Sequence, residues 1–245
     1  MFFFKKKSLT IDCFTAVEGA FKFAKPKHSA EFVPEWWKEL PTSYTARNGF
    51  WPIPTMRRCS GIIDLYKRGI MLSAWCDAMF NIGAKGTDEY QWQFSDPKHN
   101  ASIHENEQIG THFNSKEFAH VKLTSPWAFN CNESVNWLWQ DPTWNTLPNY
   151  NYKILPGIME FKWQHTTNVN MIFRRKEEKY THNIRYKTPL AQLIPLVHDR
   201  KIKLKYHHVS DKEFGSYYNS RMTFSTSYQW QKRAERILKN RGCPF

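Results

Sequence analysis

The chain has 245 residues, 41% of them hydrophobic and 16% aromatic, enough to bury a sizeable core and too apolar for a disordered chain. Lys and Arg number 35 against 22 Asp and Glu, a formal net charge of +13. A field of that sign favours a polyanion as partner (nucleic acid, an anionic surface or an acidic protein) and equally serves solubility.

At the N-terminus, apolar Met1 to Phe4 precede basic Lys5 to Lys7, the reverse of a secretory signal, so no export signal is expected. Segments 9–14 and 21–24 read as short strands. Pro26, Pro34, Pro41, Pro52 and Pro54 then interrupt any long element. Segment 35–40 reads as one helical turn stopped by Pro41, with Trp36 and Trp37 plugging the core. Segment 60–69 reads as a helix, with Ser60 as its cap, Ile62, Ile63 and Tyr66 on one face, and Gly69 as its stop.

After Gly69 the apolar period becomes two. Segments 70–80, 90–94, 120–129, 135–139, 152–155, 158–163, 169–173, 183–186, 190–197 and 202–206 read as strands. Short strands at close spacing predict a mainly β chain, an antiparallel sandwich or related fold rather than a parallel α/β sheet. The longest apolar runs, at 70–72 and 192–197, are far below the roughly 18 residues of a membrane span. In the tail, Ser210 caps a helix starting at Asp211, with Glu213 in the capping-box position. A second helix is expected over 228–241, with Trp230, Ala234, Ile237 and Leu238 on one face and Lys232, Arg233, Arg236, Lys239 and Arg241 largely outside it. The expected division is a β-rich domain over 1–209 and a basic helical tail over 210–245 packed on it.

Five cysteines, at 13, 59, 76, 131 and 243, are odd in number and widely spaced, with no CxxC pair, which favours reduced thiols and disfavours a thiolate zinc site. The histidines at 99, 104, 112 and 120 lie near Glu105 and Glu107, but no histidine of the chain has an acid two residues on, and HExxH is absent. No metal or other cofactor is expected. Nucleophile-elbow, Walker A and dinucleotide glycine motifs are also absent. Trp137 and Trp139 share one strand face, which is core if it points inward and a stacking site for a ligand if it lines a cleft. A ligand would then lie against that strand and the His104–His112 loop. By alternation Lys201, Lys203 and Lys205 share a second face. Together with Lys232, Arg233, Arg236 and Lys239 they form the candidate polyanion-binding set.

Two stretches carry a resemblance. One runs from Glu35-Trp-Trp-Lys-Glu-Leu-Pro41 to Thr55-Met-Arg-Arg-Cys-Ser-Gly-Ile-Ile-Asp-Leu-Tyr-Lys-Arg-Gly-Ile-Met-Leu72. The other is Ser125-Pro-Trp127 with Ile154-Leu-Pro-Gly-Ile158 and Lys187-Thr-Pro-Leu-Ala-Gln-Leu-Ile-Pro195. Over roughly 10–205 the chain resembles an uncharacterised protein family of tailed phages, notably marine ones, and some bacteria; the resemblance implies origin rather than activity. More locally, Leu155-Pro-Gly-Ile-Met-Glu160, the strand at 169–173 and Thr188-Pro-Leu-Ala-Gln-Leu-Ile194 are similar to the closing part of the β-clip fold of dUTP pyrophosphatases and dCTP deaminases. The chemistry departs: Met159 and Glu160 replace the aspartate after the Pro-Gly turn, and Ser134-Val-Asn-Trp-Leu-Trp139 stands where a phosphate-binding Arg-Ser-Ser would be. The similarity therefore implies a fold and no catalytic residue.

These readings converge on an antiparallel β-sandwich or β-clip-like domain with short helices and a C-terminal helical appendage. The function expected is that of a non-enzymatic phage-type protein, a virion structural or accessory binding component acting in the virion or host cytoplasm. Other virion proteins, nucleic acid or further copies of itself would be its partners. One alternative is an enzyme with a site around His104, Glu107 and His112; another is a nucleic-acid-binding accessory protein.

Overall fold

Alternation along the first strand sends Leu9, Ile11 and Cys13 inward and leaves Thr10, Asp12 and Phe14 on the outer face, the pattern of a half-buried strand. The computed structural model describes residues 8–47, 49–104, 114–146, 151–197 and 200–219. In chain order its elements are β1 (Leu9–Thr15), α1 (Glu18–Phe23), β2 (Lys27–His28), α2 (Glu35–Glu39), β3 (Ser43–Thr45), β4 (Pro52–Pro54), α3 (Ser60–Lys67), β5 (Ile70–Ser73), β6 (Ala78–Ile82), β7 (Tyr90–Phe94) and β8 (Ala101–Ile103). They continue as β9 (Phe118–Leu123), β10 (Ala128–Asn130), β11 (Trp137–Gln140), α4 (Thr143–Thr146), β12 (Tyr152–Ile154), β13 (Gly157–Met159), β14 (Val169–Arg174), β15 (Tyr180–Ile184), β16 (Pro189–Pro195), β17 (Ile202–His208) and α5 (Asp211–Asn219).

The strands form sheets ordered β10-β1-β17, β13-β11-β16-β5-β2, β12-β14-β9-β8 and β15-β6-β7, plus the β3-β4 hairpin. The fold is mainly β and sandwich-like, as expected, with short helices. Ile11, Leu72, Phe80, Val121, Trp137 and Phe173, drawn from all four larger sheets, meet in one apolar core. Full burial of each large side chain there contributes about 2–3 kcal/mol. A second cluster forms where Met71 faces away from the main core toward Ile62 and Tyr66 of α3. Tyr66 donates its hydroxyl to Asn145 Oδ1 at 2.7 Å, and Asn145 donates to the Phe32 carbonyl at 2.6 Å, which ties α4 to α3.

The structure departs from the sequence reading at several places. The strand expected at 21–24 is helix α1: the Phe21 and Ala24 amides donate to Val17 and Ala20 at 3.0 Å, and Ala20 and Ala24 bury together while Phe23 stays 69% exposed. The strands expected at 70–80 and 120–129 are each two strands, because the chain turns a corner and changes sheet. At the first corner the Asp77 carboxylate accepts from the Tyr186 amide at 2.7 Å; at the second, buried Thr167 donates to the Trp127 carbonyl at 2.6 Å. The antiparallel expectation also has one exception among the described strands, since β1 pairs with β17 in parallel, from Leu9↔Ile202 to Thr15↔His208. At α3 the capping position is Cys59, with Ser60 inside the helix. At the tail, the Glu213 amide does donate to Ser210 Oγ at 3.3 Å. The helix expected over 228–241 lies outside the described residues.

Candidate functional site

The tryptophans of β11 lie between β13 and β16 and point inward: Trp137 is 0% exposed and Trp139 4%. Trp137 packs on Phe161 with ring centroids 5.7 Å apart. The stacking platform expected there is therefore a core layer, because the alternating pattern defines a face without saying which way it points.

His104 follows β8 and meets His120 of β9, with ring centroids 4.4 Å apart. His104 Nε2 lies 3.3 Å from Asn170 Oδ1 on β14. His120 is 9% exposed, and neither of its ring nitrogens has a hydrogen-bond partner among the described residues. Burial, reinforced by neighbouring His104 and Lys122, pulls its pKa down to about 4, so the ring is neutral at pH 7. Glu107 and His112, the other members of the expected cluster, lie outside the described residues. His99 stands apart, its Nε2 3.6 Å from the Asp96 carboxylate. Among the described residues no three His, Cys, Asp or Glu side chains come together as a metal site.

The lysines of β17 have the opposite fate to the tryptophans. Ile202, Leu204 and Tyr206 pack against the core, while Lys201, Lys203 and Lys205 are exposed. None of the three lysines forms an ion pair among the described residues. β17 is the outer strand of its sheet. Lys205 stands in register with Asp12 of β1, whose carboxylate meets His207 Nε2 at 2.8 Å. Phe14 is sandwiched between His207 and Tyr217 of α5, at centroid distances of 4.7 and 4.3 Å. The start of the tail is thus anchored on this face. Lys232, Arg233, Arg236 and Lys239 lie outside the described residues.

Lys201 also lines a cleft of about 300 Å³ between the C-terminal end of α3 and the start of β17. His28, Lys67, Arg68, Arg200 and Asp64 share that wall. Arg68 lies 3.7 Å from Asp64. Arg200 forms a two-pronged pair with Glu133 at 2.5 and 2.7 Å, and that hydrogen-bonded pair holds the guanidinium pKa above its usual value. The arrangement suits a phosphate or carboxylate more than a neutral ligand. The sequence reading placed Lys67 and Arg68 only as the end of a helix, and it missed Arg200 and His28. The four come from three segments far apart in sequence, and only the fold gathers them around one cleft.

A larger hollow of about 910 Å³ lies beside the β15-β6-β7 sheet, lined among others by Asn81, Gln91, Thr181, Asp88, Glu89 and Lys179. Its charges are of both signs. Behind it Arg175, 3% exposed, donates from Nε to Ser115 O at 2.6 Å and from Nη1 to Glu89 O at 2.6 Å and Gly83 O at 3.2 Å. No helix among the described residues is long and apolar enough to cross a membrane. No protein-family model matches the chain, and no curated protein matches it.

Proposed function

We propose that the chain is a non-enzymatic, phage-type binding component that holds nucleic acid by its phosphate backbone, in the virion or the host cytoplasm. The observation that carries this reading is the exposed row Lys201, Lys203 and Lys205 on an outer strand, continuous through Lys201 with the basic cleft. Alternate residues on a strand are about 7 Å apart, so the three lysines set a line of like charges that a phosphate backbone can follow. The net charge of +13 adds long-range attraction. Two structural explanations compete. Lysines on outer strands discourage edge-to-edge aggregation, and cations at the C-terminal end of α3 complement its dipole.

A salt titration separates these explanations. Oligonucleotide binding followed by fluorescence anisotropy should weaken steeply with salt. Lys201→Gln, Lys203→Gln and Lys205→Gln together should lower the log–log slope by about two to three, one counterion per lost phosphate contact. An unchanged slope, or no binding at low salt, would sink the reading. Binding of an acidic protein in place of the oligonucleotide would move it to a protein partner.

A further inference from the structure

The β3-β4 hairpin carries the two most exposed large apolar side chains among those described, Phe50 and Trp51, with Tyr44 and Ile53 on its strands. Phe50 is 96% exposed, Trp51 82%, Tyr44 52% and Ile53 40%. Single exposed apolar residues need no explanation, but adjacent aromatic rings this bare on one ribbon mark an interaction surface. The base of the ribbon is fixed. Trp37 Nε1 donates to the Met56 carbonyl at 3.1 Å, Arg57 donates to the Leu40 carbonyl at 2.9 Å, and the Thr55 amide donates to Thr42 O at 3.2 Å. The rings are thus held out on an anchored support.

Charge and backbone chemistry narrow the occupant. Between Glu39 and Asp64 the sequence has no acid and three arginines, Arg47, Arg57 and Arg58, all exposed. None of them forms an ion pair among the described residues. Pro52 and Pro54 pair with Thr45 and Ser43, so those two positions of β4 have no N–H to offer a further strand. Strand addition through β4 is disfavoured, which leaves the exposed side chains to make recognition on that edge. Exposed aromatic rings with arginines beside them are the equipment for stacking unpaired bases and holding the phosphates between them. The hairpin is also joined to the basic cleft: Met56–Arg58 leads into α3, whose far end supplies Lys67 and Arg68, about 12 Å along a helix of this length.

We infer that the β3-β4 hairpin is a base-stacking site for single-stranded nucleic acid, with Phe50 and Trp51 as platforms and Arg47, Arg57 and Arg58 meeting the phosphates. This rests on the nucleic-acid reading above and names the form of nucleic acid that is bound. Paired bases are already stacked on each other, so the rings discriminate in favour of single strands.

The test compares wild type, Phe50→Ala/Trp51→Ala and Trp51→Phe, each checked for an unchanged melting transition, on a 15-nucleotide oligo(dT), the matching duplex, and phosphatidylcholine/phosphatidylserine vesicles. The double alanine variant should bind oligo(dT) at least tenfold more weakly, with duplex binding changed by less than about twofold. Trp51→Phe should retain most of the affinity because a stacking face remains. Unchanged oligo(dT) binding by the double variant would overturn the inference while leaving the lysine-based reading intact. Equal losses on single strand and duplex would also overturn it, as would a loss confined to vesicles. Absence of any oligonucleotide binding by wild type at low salt would overturn both.

Discussion

The rings of His104 and His120 lie 4.4 Å apart on the outer side of the β12-β14-β9-β8 sheet, and the His120 nitrogens are buried with no hydrogen-bond partner among the described residues. A buried imidazole of this kind is tolerated only while neutral. Its folded pKa of about 4 lies below the usual unfolded value of about 6.5, so the unfolded chain binds the proton first as pH falls. The stability it supports is present above about pH 6.5 and is lost progressively down to about pH 4, by at most about 3 kcal/mol. Urea denaturation at pH 7 and pH 4.5 should show a smaller pH difference in His120→Phe than in wild type. An identical difference would mean that the ring does not titrate as its burial implies. His99 and His182, also lowered mainly by burial, add to the pH dependence of both proteins.

Arg175 joins three carbonyls, those of Ser115, Gly83 and Glu89, from a nearly sealed position, and burial pulls its pKa below the usual value. Arg175→Met keeps much of the volume and leaves those acceptors without their donor. The expected cost is about 2–4 kcal/mol, read as a lowered urea midpoint. Arg175→Lys should recover part of it, since one ammonium cannot span all three positions. A methionine variant within about 0.5 kcal/mol of wild type would show that water replaces the guanidinium there.

Gly69 ends the turn after α3 where three segments converge. A Cβ there would stand 2.6 Å from Ser29 Oγ and 3.1 Å from the Leu193 carbonyl. Its own carbonyl accepts from the Ser29 amide at 2.9 Å, so the segments cannot simply part. Gly69→Ala should cost about 1–3 kcal/mol in thermal or urea unfolding through overpacking. Gly157→Ala is the control, because nothing lies within 4 Å of the added carbon.

Period-two reading located β7, β14 and β17 because the more buried face of each imposes alternation, while β16, buried on both faces, stood out as a short apolar run. It did not separate β5 from β6 or β9 from β10, since buried side chains continue through Ala74, Trp75, Ser125 and Trp127 while the hydrogen-bonding partners change. β2, β3, β4 and β8, of two or three residues each, carry too little pattern to be read. Side-chain faces were legible only in part. Alternation put Lys201, Lys203 and Lys205 together and Trp137 and Trp139 together, but direction came from packing, which exposed the first set and buried the second. The basic cleft had no local signal, because Lys67 and Arg200 are far apart in sequence and share a cleft only in the fold.

The parallel pairing of β1 with β17 has a consequence for synthesis. Leu9 leaves the ribosome about 190 residues before its partner Ile202. At the usual elongation rates of about 5–20 residues per second, that delay is about 10–40 seconds. Throughout it, Ile11 and Cys13 can gain at most the β10 side of their sheet, and then only after Asn130 has emerged. Over that interval the nascent chain carries an unfinished sheet, whose unpaired β1 edge is exposed to misassociation until β17 arrives.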